Sequence, residues 1–400
     1  MRRKIIIFVI VAVVLVAIGF FAYNFFTTEQ VNIKSNSQNA KVSIYTLQNQ
    51  VVDSKNAPYS TRLKPGIYSV VVTDNQKETR SIFTLKQGTP VDLTLDLVDV
   101  KSPKKIAPYS SKYIFADENF LNFIRKDVNQ LDRLTFGEKY LKELSQGSYS
   151  QAYWANADQA ILTDTANKSH YYDFGTISPL GYKITNPGTI SFLGDSLAYI
   201  EQKVVYIRPT ITAAPVVEVP VRFLQPQLSL GPNNQFVVFE TGVFVDETEG
   251  EEGQAQSELS NATPEIYSGN ERLQKQSDAL KNYVIDGATW SPDGQKLAFS
   301  AGDGIYIMDI NTSSIRQLYL SYTTHPQSIK WLDEQTLIYF LDQGIWKITL
   351  NETPTWNLLA KVEGSLGWSA PLSLSPSKKE IYYSSDELQS SNDAVYQIDL

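Results

Sequence analysis

The sequence predicts an all-β protein: an N-terminal transmembrane helix, a small β-sandwich and a C-terminal β-propeller of seven blades, with six as the alternative count. Three observations predict it. The chain runs from Ile5 to Tyr23 without a charge, residues 31–97 alternate apolar and polar with the strand period of two, and a unit of about forty residues recurs from 104 to 400.

Composition narrows the function classes. Of 400 residues, 42% are hydrophobic and 20% charged, the balance of a folding chain. A net charge of −8 argues against a nucleic-acid partner. The absence of cysteine excludes disulfides, zinc ribbons, iron–sulfur clusters and thiol catalysis. His170 and His325 are the only imidazoles.

The first element is read as residues 1–27, a cytoplasmic stub and an anchor. Nineteen to twenty-two helical residues span about 30 Å, a bilayer's hydrocarbon core. A cleaved signal peptide is the rival, but its apolar region is shorter and ends in a small-x-small site. Phe20, Phe21, Tyr23, Phe25 and Phe26 resemble an interfacial aromatic belt instead. Arg2, Arg3 and Lys4 precede the run, so the N-terminus is expected inside. The resulting expectation is a single-pass plasma-membrane protein, extracytoplasmic from about residue 28.

Residues 28–98 follow as a small β-domain. Val31-x-Ile33, Val42-x-Ile44, Tyr68-x-Val70-x-Val72, Ile82-x-Thr84 and Val91-x-Leu93-x-Leu95-x-Leu97 are strands, broken at Lys64-Pro65-Gly66, Asp74-Asn75 and Gln87-Gly88. Half-buried strands of this kind pack as an antiparallel sandwich. Ser37–Ile44, Ala57-Pro58-Tyr59, Leu63–Val72 and Leu85–Gly88 resemble the PEGA domain, with Gln38-Asn39-Ala40 where Glu-Gly-Ala is usual. The resemblance implies a surface spacer or interaction module with no catalytic residues.

Residues 104–400 carry the repeat. Its sharpest copy is Gly287–Phe299 (Trp290-Ser291-Pro292-Asp293-Gly294, then Leu297-Ala298-Phe299) followed by Gly304–Ile310. Pro presets φ in the turn and Gly accepts the positive φ that closes it. Equivalent positions at 115, 154, 192, 230, 290, 331 and 374 are spaced by 39, 38, 38, 60, 41 and 43 residues. Four-stranded units at this period make a propeller, whose sheet edges are short and protected. The long interval holds an acidic insertion, 246–282, with six acids and no base over Asp246–Glu258, and a mobile loop is expected there. Val243–Val245 reads as the fourth unit's third strand, Asn270–Lys281 as a helical turn or two, and Gly137–Ser145 as a short helix. The last unit has three strands, so residues around Lys104–Tyr109 should supply its fourth. The Trp-Ser-Pro-Asp-Gly-x-x-Leu-Ala-Phe pattern resembles TolB-type WD-like propeller repeats, which implies a protein-interaction platform.

No residue stands out as catalytic, cofactor-binding or metal-ligating, and no cofactor is implied. Gly-x-Ser-x-Gly, phosphate loops and metal-ligand spacings are absent from the sequence. His170 reads as a hairpin residue and His325 as a linker residue. Asp293, Asp303 and Asp309 occupy turn positions that cap amides. Trp154, Trp290 and Trp331 share one repeat position and should pack between blades; Trp346, Trp356 and Trp368 lie off it and are the candidates for an exposed aromatic surface. The expectation is therefore a non-enzymatic, membrane-anchored extracytoplasmic scaffold binding an envelope protein or a cell-wall glycan. The alternative is a hydrolase acting on glycan or peptide at the channel mouth; a third reading, an envelope sensor, lacks an output domain.

Overall fold

The computed structural model describes residues 27–400 apart from 47–49, 110, 139–140, 183, 185–188, 224–225, 241–262, 303, 321–326, 342–343, 363–371 and 386–393. The chain forms two units, one of residues up to Val100 together with Ile348–Leu358, the other of Lys101–Lys347 with Leu359–Leu400.

In the first unit the alternating stretches become β1 (Glu29–Lys34), β2 (Lys41–Thr46), β3 (Val51–Asn56), β4 (Tyr59–Leu63), β5 (Gly66–Asp74), β6 (Lys77–Leu85) and β7 (Val91–Thr94). One sheet has the order β4-β1-β7, the other β6-β5-β2-β3. Val31, Ile33, Val42, Ile44, Val70, Val72, Leu93 and Leu95 bury their side chains in one core. Asn36 clamps the chain beyond β7, donating to the Leu97 carbonyl at 2.9 Å and accepting from its amide at 3.0 Å. Thr355, Trp356 and Asn357 add a strand to β6, opposite Ser81, Arg80 and Thr79. The buried Ser81 hydroxyl donates to the Pro354 carbonyl at 2.7 Å. The sequence signal for this unit stopped at residue 98 because its last strand comes from 250 residues downstream.

The second unit opens with β8 (Lys104–Ala107). Blade one holds β9 (Ser111–Ala116), β10 (Phe120–Arg125), β11 (Gln130–Thr135) and β12 (Leu141–Ser145). Blade two holds β13 (Tyr149–Asn156), β14 (Gln159–Asp164), β15 (Ser169–Asp173) and β16 (Thr176–Pro179). Blade three holds β17 (Ser191–Leu193), β18 (Ser196–Glu201), β19 (Val204–Arg208) and β20 (Val217–Pro220). Blade four holds β21 (Pro226–Leu230), β22 (Gln235–Glu240), β23 (Glu265–Ser268) and β24 (Glu271–Arg272), followed by α1 (Gln274–Ala279). Blade five holds β25 (Ile285–Trp290), β26 (Lys296–Ala301), β27 (Gly304–Asp309) and β28 (Ile315–Leu320). Blade six holds β29 (Gln327–Trp331), β30 (Thr336–Leu341), β31 (Gly344–Thr349) and β32 (Thr355–Lys361), of which Ile348–Thr349 and Thr355–Leu358 are counted with the first unit. Blade seven takes β33 (Ser373–Leu374), β34 (Glu380–Ser385) and β35 (Ala394–Asp399), and its fourth strand is β8. Gln397, Tyr396 and Val395 pair with Lys104, Lys105 and Ala107, the closure the register requires.

Each blade's second strand is an apolar run buried on both faces, as in Leu297-Ala298-Phe299 and Leu337-Ile338-Tyr339. Cores lie between successive blades: Trp154 with Ile124 and Leu131, Trp290 with Val237 and Phe239, Tyr382 and Val395 with Leu121 and Phe123.

The structure corrects the expected fold class and location. Among the described residues no helix is long and apolar enough to cross a membrane. The one α-helix among them, α1, has six residues, about 9 Å at 1.5 Å each against the roughly 30 Å of a bilayer core. The fold class is thus all-β without the expected transmembrane helix, and the single-pass plasma-membrane location is not retained. The apolar run that suggested both, within residues 1–26, lies outside the described residues.

Two local expectations are corrected as well. The helix read over 137–145 is instead β12, because Leu141–Ser145 pairs with β11 and tertiary pairing overrides local helix propensity. Blade four's third strand is β23: Ile266 and Tyr267 oppose Val237 and Phe236, so the acidic stretch falls inside the blade, between its second and third strands. Residues 243–258 themselves lie outside the described residues, whereas 263–282 form blade four's outer strands and α1.

Gly231 permits one inter-blade contact. A Cβ there would stand 2.5 Å from Cγ of the buried Trp290 ring. Gly231→Ala should destabilise the protein by about 1–3 kcal/mol through overpacking. Gly287→Ala, whose Cβ would meet only Ser300 Oγ at 3.6 Å, should change stability by less; chemical denaturation of both variants checks this.

Candidate binding site in the propeller channel

Hydrogen bonds stitch the innermost strands across five of the seven seams. Trp154, Trp290 and Trp331 each oppose the second residue of their blade's second strand. Each indole N–H donates to an innermost-strand carbonyl of the preceding blade: Trp154 to Tyr113 at 3.2 Å, Trp290 to Ser229 at 3.1 Å, Trp331 to Thr289 at 3.1 Å. Other seams use serine. Ser191 Oγ accepts from the Leu230 amide at 3.0 Å, and Ser373 Oγ accepts from the Ala116 amide at 3.1 Å.

One register position further in, opposite the third residue of each second strand, stand Phe115, Tyr153, Ser191, Ser229, Thr289, Lys330 and Ser373. They make a level of one residue per blade around the axis. Tyr153 lies 5.8 Å from Tyr113 of blade one, ring to ring, and also packs on the core between blades two and three. Burial pushes the phenols of Tyr113 and Tyr153 above the usual tyrosine range. Lys330 is the level's single charge. It keeps solvent-exposed surface, yet protein surrounds it closely enough that lost hydration pulls its ammonium below the ordinary lysine value. No acceptor or carboxylate among the described residues partners it.

The two ends of the propeller differ. First-to-second connections are tight turns such as 117–119, 157–158 and 194–195. Strands alternate in direction, so the second-to-third connections and those between blades all emerge at the opposite end. Among the described residues the longest connection at that end is 273–284, which includes α1, and the longest at the tight-turn end is 209–216, between the third and fourth strands of blade three.

The residues singled out from sequence fall as follows. His170 Nε2 lies 3.0 Å from Asp164 Oδ2; Asp164 is held below the ordinary carboxylate value first by the Lys168 amide and then by His170. This is a hairpin arrangement. Partial burial pushes Asp293 up, but the Ser291 hydroxyl and Gln295 amide outweigh it and leave the carboxyl below its usual value. Asp309 is lowered chiefly by the Thr312 amide, at 2.8 Å. Both acids cap turns. Among the described residues no three His, Cys, Asp or Glu side chains are grouped to hold a metal ion. Trp346 and Trp356 are buried and form no exposed aromatic surface. His325, Asp303 and Trp368 lie outside the described residues. Sequence reasoning missed Lys330, although its place just before the repeat tryptophan, where other blades carry Ser, Thr or an aromatic residue, marks it.

No family model matches the chain, and no curated protein matches it. Among solved structures, the WD40 β-propeller domain of Doa1 superposes with a TM-score of 0.51 at 12% identity, over 75% of this chain and 96% of that one. The fold is a β-propeller. YCF48 bound to a D1 peptide gives a TM-score of 0.49 at 11% identity, over 76% of this chain and 98% of that one. The extracellular domain of the one-component system BT4673 from B. thetaiotaomicron gives 0.48 at 11%, over 74% of this chain and 40% of that one. At 12% identity the likeness to the Doa1 domain establishes the propeller and nothing finer; the PEGA and TolB-type resemblances rest on the residues quoted for them.

The seam predicts a specific loss. Trp331→Phe removes the donor to the part-buried Thr289 carbonyl and part of the buried indole volume, so the protein should lose about 1–3 kcal/mol. Thermal and urea unfolding of the variant measure it.

Proposed function

We propose that the protein is a non-catalytic binding platform whose propeller engages a polypeptide partner at the end bearing the long connections. One observation carries this reading: the unequal ends. Loops on a rigid scaffold carry recognition, and the longest described connection, 273–284, lies at one end, whereas the first-to-second connections at the other are tight turns and the longest described connection there is 209–216. The first unit, a sandwich without a cluster of catalytic side chains among its described residues, is read as a spacer or interaction module.

The test is site-specific photo-cross-linking in the cells that make the protein. Val284, 56% exposed, and Val128, 45% exposed, lie at the long-connection end; Phe174, 75% exposed, lies at the tight-turn end. A photo-reactive residue at 284 or 128 should capture one recurrent polypeptide, and the same residue at 174 should not. Equal capture from both ends, no capture at all, or release of fragments from peptide or glycan libraries by the purified chain would contradict the proposal.

A further inference from the structure

The seam between blades two and three is built differently from its neighbours. Phe192 stands where Trp154, Trp290 and Trp331 stand, opposite Leu197 in the second strand of its blade, and its ring carries no donor. Among the described residues no hydrogen bond joins the innermost strands of these two blades. Near the tight turns the seam is apolar: Tyr153, Ile161 and Tyr171 of blade two pack with Leu197 and Tyr199 of blade three. Residues two apart on a strand share a face, so the next row of that face is Gln151, Thr163 and Ser169. The register agrees, pairing Gln151 with Thr163 and Thr163 with Ser169. This row is polar and enclosed. Gln151 Oε1, Thr163 Oγ1 and Ser169 Oγ are all shut off from solvent, and none has a hydrogen-bond partner among the described residues. Thr163 as a whole is 0% exposed. Ser150, at the bulge beside the row, satisfies its own hydroxyl on the Thr163 and Asp164 carbonyls at 3.2 and 3.1 Å.

We infer that blade two carries an internal hydration site on its face toward blade three, where one or two ordered waters are held by Gln151 Oε1, Thr163 Oγ1 and Ser169 Oγ. A buried polar oxygen without a partner is costly, and three side by side call for a shared one. In serine and threonine the oxygen is one bond from Cβ, and the Cβ atoms of opposed residues lie about 4.5–5.5 Å apart. Backbone register alone therefore brings the Thr163 and Ser169 hydroxyls within the span of one bridging water. The chemistry suits water as well. An amide oxygen only accepts, whereas a hydroxyl donates and accepts, so the partner must do both. Buried waters make about three hydrogen bonds to polar groups that are otherwise unmet, the number of atoms offered here. A divalent cation is the poorer fit, because each of these oxygens is neutral. The site lies inside a blade, so it goes beyond the platform reading and stands or falls independently of it.

Two measurements on the full-length protein test this. The first is a crystal structure at a resolution that shows ordered water, repeated after a rubidium soak. An ordered oxygen should stand within about 2.7–3.2 Å of Thr163 Oγ1, with no anomalous peak from rubidium. The second is the unfolding midpoint of near-isosteric variants. Thr163→Val removes a hydroxyl that the water satisfies, so the midpoint should fall. Ser169→Ala should also lower it, and by less in the Thr163→Val background, because the two hydroxyls share a water and their effects do not add. A dry row predicts the opposite sign: removing an unmet buried hydroxyl raises the midpoint. A raised midpoint in Thr163→Val, no density at the row, a rubidium peak there, or the two hydroxyls found bonded directly to each other would overturn the inference. Cross-linking at Val284 should be indifferent to Thr163→Val, so failure here is distinguishable from failure of the platform reading.

Discussion

The antiparallel pairing of β8 with β35 is the constraint on which the second unit depends. It joins Lys104–Ala107 to Val395–Gln397, nearly the whole length of the unit apart in sequence. Without it blade seven has three strands and an open edge, a template for unwanted pairing. β9 follows β8 at once, so the closure also fixes the seam between blades seven and one. There the Ser111 amide donates to Ser384 Oγ at 3.1 Å, and the Ala116 amide to Ser373 Oγ at 3.1 Å. Loop-closure entropy grows slowly with length, so so distant a contact is thermodynamically tolerable; the penalty of such non-local topology falls on folding rate.

Once the ring is closed, every blade presents the same two register positions toward its neighbours. The outer takes an indole or a smaller apolar group, and where it is tryptophan the N–H finds a carbonyl of the previous blade. The inner takes a serine where the seam needs an acceptor. A position dictated by packing is thereby distinguished from one that is not, and Lys330 is conspicuous because the pattern around it has a stated physical purpose. The same logic separates the acids: Asp164, Asp293 and Asp309 all satisfy backbone amides, so their lowered carboxyl values are turn chemistry.

Much of this was legible in the sequence because the repeat is written in residues with strong local meaning. Trp290, Pro292 and Gly294 mark a strand end and a turn, and Leu297-Ala298-Phe299 a doubly buried strand. The missing fourth strand of the last blade followed from counting. What escaped detection was decided at long range. Leu141–Ser145 has helix-favouring composition but pairs with β11. Val243–Val245 and Ile266-Tyr267 look alike as short apolar runs, and only their partners in β22 choose between them. Thr355–Asn357 reads as an ordinary blade strand, yet it completes the sheet of the first unit at β6. The apolar residues near the N-terminus suggested a membrane span; no helix among the described residues has the required length and apolarity. For the candidate site, the repeat position was visible, but that Lys330 is the single charge at its level required the register of all seven blades.

The most direct measurement exploits a chain without cysteine. Lys104→Cys with Gln397→Cys places one thiol on each strand of the closing pair, at directly opposed positions, within the range that mild oxidation can bridge with small backbone adjustment. A closed ring predicts an intramolecular disulfide, seen as faster migration on a non-reducing gel and a raised unfolding midpoint that reductant reverses. Free thiols after oxidation, or cross-linked dimers in place of the internal bond, would contradict the closure and with it the account of the propeller.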